Sequence, residues 1–335
     1  MIDPIAILEA AYSLVEDEQG WLTQFGETAR KNSKADRWFV ATTYDATRPD
    51  AVTRATAYCG LDERVALANT AGVFRSVADQ THIPMFHKGF VGTLTQAPAC
   101  ARLAGVDEAR VGQLERDIEQ LLRETGLADE VWVNALDPTG MGCCFAAPLL
   151  RRGPLHPREV HQWSCLAAHV ATAFRIRRQF AQRAPLTADA AARSPEAILD
   201  PDGKLEHAAE PAQGDAARAA LRESVLALDR ARGPLRRRDP DQAIAIWQAL
   251  VAGRWSLLDH FDSDGRRFIV AHRNDASVPD ARGLTLRERQ VIAYAALGHS
   301  NKVIAYELGL STSTVGSHLA RARAKLPPPL RTTIV

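Results

Sequence analysis

From Gly283 to Leu326 the chain reads GLTLRERQVIAYAALGHSNKVIAYELGLSTSTVGSHLARARAKL. The side chains here that could meet another molecule are hydroxyls, an imidazole and cations, which suit hydrogen bonding and ion pairing. Thr285 can cap a helix whose apolar residues Val291, Ile292 and Ala295 face inward, and Gly298 ends it. Ser300 then caps a short second helix carrying Val303, Ile304 and Leu308, and Gly309 supplies the left-handed residue of a tight turn. Ser311 opens a third helix with Val315, Leu319, Ala322 and Leu326 on one face. Its other face presents Thr312, Ser313, Thr314, Ser317, His318 and Arg321, with Arg323 and Lys325 nearer its end. Two short helices joined through a glycine turn, the second polar and basic outside, follow the helix-turn-helix plan. Hydroxyls and arginine reach base edges in a groove, whereas the terminal cations hold the phosphate backbone. Lys302 fits the same scheme. It stands in the first turn of its helix, where the macrodipole disfavours a cation, and an adjacent phosphate reverses that penalty.

Through LTxRE, GxSNKxIA, LxLSxxTVxxHL and the closing KL, this run resembles the DNA-binding domain of LuxR-type regulators. The resemblance covers about fifty residues. It implies a four-helix domain that dimerises on double-stranded DNA with the third helix in the major groove. On the matching positions it also implies phosphate contacts at Lys302 and Lys325, and backbone anchoring of the third helix at Thr314 and His318. The family's base-reading positions fall on Gly316, Ser317 and Ala320. Two of these lack a long side chain, which shifts sequence readout toward Ser317, Arg321 and DNA shape. Pro327-Pro328-Pro329 cannot continue a helix, so a fourth helix is expected to be shortened or missing, and dimerisation then falls to the N-terminal part.

The elements that must position this reader occupy residues 1–275. Ile5, Leu8, Tyr12, Val15 and Leu22 predict one amphipathic first helix beginning after Asp3-Pro4. RWFVATTY and AVTRATAYC read as a hairpin, followed by an irregular Gly- and Pro-containing stretch. Val111 to Leu122 mark a helix closed by Gly126, and VWVNALD and MGCCFAAPLL form two strands around Asp137-Pro138-Thr139-Gly140. A long helix from Pro157 closes this unit, packing either on its own sheet or against its twin in a dimer. In layout, residues 1–181 resemble a GAF-type sensor and dimerisation domain, with 182–195 as linker. Residues 196–275 (hairpin, helices at Ala216–Ala231 and Gln242–Val251, second hairpin) resemble a PAS-type domain. The reader takes 281–335. The fold class is therefore α+β multidomain: antiparallel-sheet GAF-like and PAS-like domains, then an all-α helix-turn-helix domain.

Composition agrees with a folded chain of more than one domain: 335 residues, 46% hydrophobic and 24% charged. Net charge is +1, but residues 281–335 hold eight Lys/Arg against Glu288 and Glu307, giving +6 there and −5 elsewhere. Such asymmetry points the basic end at a polyanion. No stretch is apolar and long enough for a membrane span, and the acidic N-terminus lacks a signal-peptide pattern, so a cytoplasmic location is expected. The five cysteines are expected as free thiols, with one of Cys143 and Cys144 in the core and the other partly exposed. His82, His87 and Cys100 fit no metal-ligand spacing, and neither metal nor cofactor is expected. No catalytic fingerprint occurs, so the chain is read as a non-enzyme. Phe39, Tyr44, Tyr58, Phe90 and Trp132 could line an effector pocket or simply form core. The sum is a homodimeric transcriptional regulator with an unidentified small-molecule effector. Two alternatives stay open: a sensor enzyme, or an adaptor whose helix-turn-helix has lost DNA affinity.

Overall fold

The computed structural model describes residues 3–14, 17–32, 38–47, 52–60, 89–103, 106–183, 194–275 and 284–326. In the first unit the single expected helix divides in two. Asp3 caps α1 (Pro4–Ala11), and Asp17 accepts from the Gly20 N–H at 2.7 Å at the start of α2 (Glu18–Asn32). Ile5, Leu8 and Leu22 share one core because the two helices fold back on each other, which mimics one continuous periodicity.

Strands β1 (Phe39–Asp45), β2 (Val52–Cys59), β3 (Phe90–Thr93), β4 (Asp129–Leu136) and β5 (Met141–Leu149) form one antiparallel sheet in the order β2-β1-β5-β4-β3. β3 and the helix after it, α3 (Ala97–Leu103), lie in the stretch expected to be irregular. They are too short to generate a periodic signal. α4 (Glu108–Thr125) ends at Gly126 in the left-handed region, as expected of that glycine. Strand alternation sorts the sheet's two faces. Phe39, Val133, Cys143 and Phe145 pack with α1, α2 and α5 (Pro157–Arg183), whereas Tyr44, Trp132, Leu136 and Cys144 pack under α3 and α4. Cys143 and Cys144 are therefore both buried, contrary to the expectation that one of them would be partly exposed, because α4 covers the Cys144 side of the strand. Burial pushes the Cys144 thiol up to about 12, and Cys143 also moves well above the usual thiol range, so neither is nucleophilic at neutral pH.

The middle unit has four antiparallel strands, β6 (Ala197–Leu199), β7 (Leu205–Ala208), β8 (Trp255–Phe261) and β9 (Arg267–Arg273), ordered β7-β6-β9-β8. Between β7 and β8 run α6 (Asp215–Arg230), a π-helical turn (Ala231–Leu235), one α turn (Arg236–Arg238) and α7 (Pro240–Ile246). α7 stops five residues short of the expected Val251. Trp247 turns extended there, and its carbonyl is used by side chains from two other elements.

α5 is the spine of the molecule. Its residues Cys165 to Arg177 are buried without interruption, so every face is covered. The first sheet, α1, the middle unit and the C-terminal helices all contribute, which leaves this segment no free stripe for a twin. The first and middle units also share one hydrophobic cluster, with Tyr12 stacked on Trp247 at 5.9 Å between ring centroids. Most of the expected linker (184–193), His82, His87 and the three prolines lie outside the described residues.

Candidate nucleic-acid interface

Three helices follow, α8 (Leu286–Ala296), α9 (Asn301–Leu308) and α10 (Thr312–Lys325). Each start is fixed by the side chain that the sequence nominated. Thr285 and Glu288 form a capping box, Ser300 accepts from the Val303 N–H at 3.4 Å, and Ser311 accepts from the Thr314 N–H at 3.1 Å. Gly309 closes α9 with φ +61°. Any Cβ there would collide with the Leu250 carbonyl oxygen, so glycine is required by backbone conformation and by packing alike. Val291, Tyr294, Ile304, Leu308, Val315 and Leu319 make the module's core, and Leu250 of the middle unit completes it.

The outward face of α10 is open. Thr312, Ser313, Ser317, Ala320 and Arg321 are exposed, Thr314, Gly316 and His318 are half-buried, and a Cβ on Gly316 would meet nothing within 4 Å. The hydroxyls are pre-arranged: Ser311 Oγ lies 2.8 Å from Ser313 Oγ and 2.7 Å from Thr314 Oγ1, and Ser317 donates to the Ser313 carbonyl at 3.0 Å. Lys302 is exposed at the start of α9. Neither it nor Arg321 makes an ion pair among the described residues, so both cations are available to phosphate or base edges. Partial burial, then Arg321, lowers the His318 pKa, which keeps this imidazole neutral beside the cation.

Two of the nominated cations are placed differently from the others. Arg323 is half-buried and already engaged within the protein. Lys325 Nζ sits 2.7 Å from Glu288 Oε2 and 3.0 Å from Oε1, tying the end of α10 to the start of α8. That ion pair and the capping-box hydrogen bonds hold the Glu288 carboxyl at about 2. The first work of Lys325 is thus to close the three-helix module.

The opposite side of the module is docked on its own chain, which sequence reasoning missed. Arg287 donates to the carbonyls of Gly253 (2.9 Å) and Ala252, and Gln290 donates to Gly253 at 3.0 Å. The Tyr306 hydroxyl lies 2.6 Å from the Ile244 carbonyl, 2.7 Å from that of Trp247 and 2.8 Å from His169 Nε2 on α5. Deeper in, Arg175 of α5 joins all parts: its Nε bonds the Asn274 carbonyl at 2.9 Å, and Nη1 lies 3.4 Å from the Tyr294 hydroxyl and 3.6 Å from Asp137 Oδ2. Glu307 is fully buried between Arg175, Tyr294 and His299, whose Nδ1 is 3.7 Å from Oε2. The only sequence hint was a tyrosine and a glutamate between the core residues Ala305 and Leu308.

Burial raises the Glu307 carboxyl to about 8, against the opposing pull of Arg175, and lowers His299 to about 4. A carboxyl raised on folding contributes stability that is complete below its ordinary pKa and is lost as pH climbs through the folded value. Glu307→Gln is therefore expected to match the parent chain near pH 5 and to exceed it at pH 8 by about 1 to 3 kcal/mol. Urea melts of both chains at the two pH values check this; a constant difference contradicts it.

The aromatic residues nominated for an effector pocket do not converge. Phe39 lies in the core on one side of the first sheet, stacked at 5.6 Å on Phe145, whereas Tyr44, Phe90 and Trp132 pack on the other side. Tyr58 is half-buried on β2 and belongs to neither cluster. The five cannot line a single pocket because strand alternation puts a sheet between them. Among the described residues no group of three His, Cys, Asp or Glu side chains could hold a metal ion, and no helix is long and apolar enough to cross a membrane.

Comparison with curated proteins and with solved structures returns no match. One family model does match, over residues 282–335, the segment that contains the capped three-helix module with its exposed cations. The matching family is described as bacterial regulatory proteins, luxR family, and the similarity is confined to this segment.

Proposed function

We propose that the chain is a DNA-binding transcriptional regulator of the LuxR type, acting as a homodimer whose upstream units set the placement of its readers. The observation that carries this reading is the division of the C-terminal module into two sides. Its outer face, with Lys302, Ser317 and Arg321, is free for a duplex, while its inner face is held by α5 and the 247–253 segment. The first unit acts as a GAF-like sensor and the middle unit as a PAS-like domain. Supporting this are a five-stranded antiparallel sheet flanked by helices in the one, and an opening and a closing hairpin sharing one sheet in the other. A small-molecule effector would work by shifting the distance between two readers, which must lie about 34 Å apart to enter successive major grooves. No catalytic role is assigned.

Binding of this kind releases counterions. If a dimer neutralises about six phosphates, the log of affinity falls against the log of salt concentration with a slope near −5. A gel-shift series on the full chain reads that slope directly. Affinity independent of salt would overturn the proposal.

A further inference from the structure

We infer that the duplex-binding surface continues past the helix-turn-helix onto the first turn of α5 and the arginine turn ahead of α7, where Arg158, Arg237 and Arg238 meet the phosphate backbone flanking Lys302. This rests on the reading of the C-terminal module as a DNA reader. The geometry begins with the register between α5 and α9. Tyr306 meets His169 at 2.8 Å and hydrogen-bonds with Cys165, while Lys302, one turn earlier on α9, acts on His161, one turn earlier on α5. The two helices therefore run side by side in the same direction, and both begin at the end of the molecule where Lys302 awaits a phosphate. Arg158 lies one further turn, about 5 Å, beyond His161.

The same end receives the middle unit. Asp241, at the start of α7, is bonded by both Arg158 and Gln162 of α5, which brings the preceding turn Arg236–Arg238 alongside. The charges there are not self-cancelling. Arg232 and Arg236 are taken up by Asp3, Glu9 and Asp259, Asp239 caps α7, and Glu159 is held by Arg151 at 2.7 Å. Arg237 and Arg238 are exposed and make no ion pair among the described residues, and they border a groove of about 660 Å³ that Arg232, Arg236 and Asp3 also line. Arg158 is ion-paired with Asp241 yet leaves 65% of its side chain in solvent, where a phosphate can share it. Arg237 and Arg238, left unpaired among the described residues, extend a backbone track from the phosphate-contacting lysine, because phosphate attraction needs charge in line and no base recognition.

The test uses the full-length chain and a random-sequence duplex, with anisotropy read across a salt series. Arg237→Ala/Arg238→Ala is expected to flatten the log–log slope by about two per protomer, and Arg158→Gln by about one, with unchanged thermal melts. Arg116→Ala/Arg123→Ala, on exposed positions of α4, removes the same charge and is expected to leave the slope unchanged. If the Arg237/Arg238 variant binds like the parent while Arg321→Ala loses binding, the extension is wrong and the reader stands. If the α4 variant flattens the slope equally, only net charge is at work and the extension is again wrong. Should the parent chain itself not bind, the proposed function fails first.

Discussion

Exchanging Lys302 and Arg321 for alanine together is expected to lower affinity for duplex DNA by roughly 100-fold or more, because an arginine contact to bases or phosphate is worth about 1 to 3 kcal/mol and a dimer loses each contact twice. Both side chains are exposed and neither makes an ion pair among the described residues, so stability should change by no more than about 0.5 kcal/mol. Anisotropy titrations paired with thermal melts separate the two effects. Unaltered DNA affinity would favour an adaptor in which the helix-turn-helix no longer touches nucleic acid. Affinity lost only together with folding would mean that these cations serve the module's structure.

The second large effect concerns the junction. Arg175→Ala is expected to cost about 3 kcal/mol of unfolding free energy, the low end for removing one member of a buried ion pair, because Asp137 keeps Arg178 at 3.1 Å while the buried Tyr294 hydroxyl and Asn274 carbonyl lose their donor. Arg175 is 2% exposed and joins Asp137 at the β4–β5 turn, Asn274 after β9 and Tyr294 of α8, so a single side chain bridges all three units. The loss should fall on the docking of the reader as well as on the first unit. Hydrogen exchange in α8 and α9 should accelerate, while the α8–α10 contacts inside the module, including Glu288 to Lys325, persist. An unfolding free energy within about 1 kcal/mol of the parent, read from denaturant melts, would show that the junction is not built around this guanidinium.

This junction also shapes how regulation works. The reading face is open although the module is docked. Under the proposed homodimeric function, control would therefore act on where two open readers stand relative to each other rather than by unmasking them, and the element that touches both the first unit and the module is α5. Its buried stretch touches the first sheet, the middle unit and Tyr306 of α9 at once, so a displacement on one side of it is felt by the others.

How much of this was legible beforehand follows from the range of the forces involved. Helix starts at Thr285, Ser300 and Ser311 and the turn at Gly309 are local events in which one side chain or one φ angle decides the outcome, and they were read correctly from the residues alone. The same holds for Gly126 and for the Asp137–Gly140 turn. What was missed depends on distant partners. Tyr306 and Glu307 look like ordinary surface residues of a short helix until α5 lies against them. Lys325 reads as a phosphate cation until α8 brings Glu288 beside it. Phe39 and Tyr44 read as one aromatic group until strand alternation sends them to opposite sides of the sheet. The break between α1 and α2 was hidden for the converse reason, since two helices packed into one core kept a single hydrophobic rhythm.

Hydrogen exchange on the full chain, with and without duplex DNA at low salt, tests the central claim most directly. The account requires slowed exchange at the amides from Ser300 to Val303 and along Ser311 to Arg321 when DNA is added, with the 247–253 segment unchanged. Slowed exchange confined to the upstream units, or no change along α10 at DNA concentrations that saturate the gel shift, would contradict it.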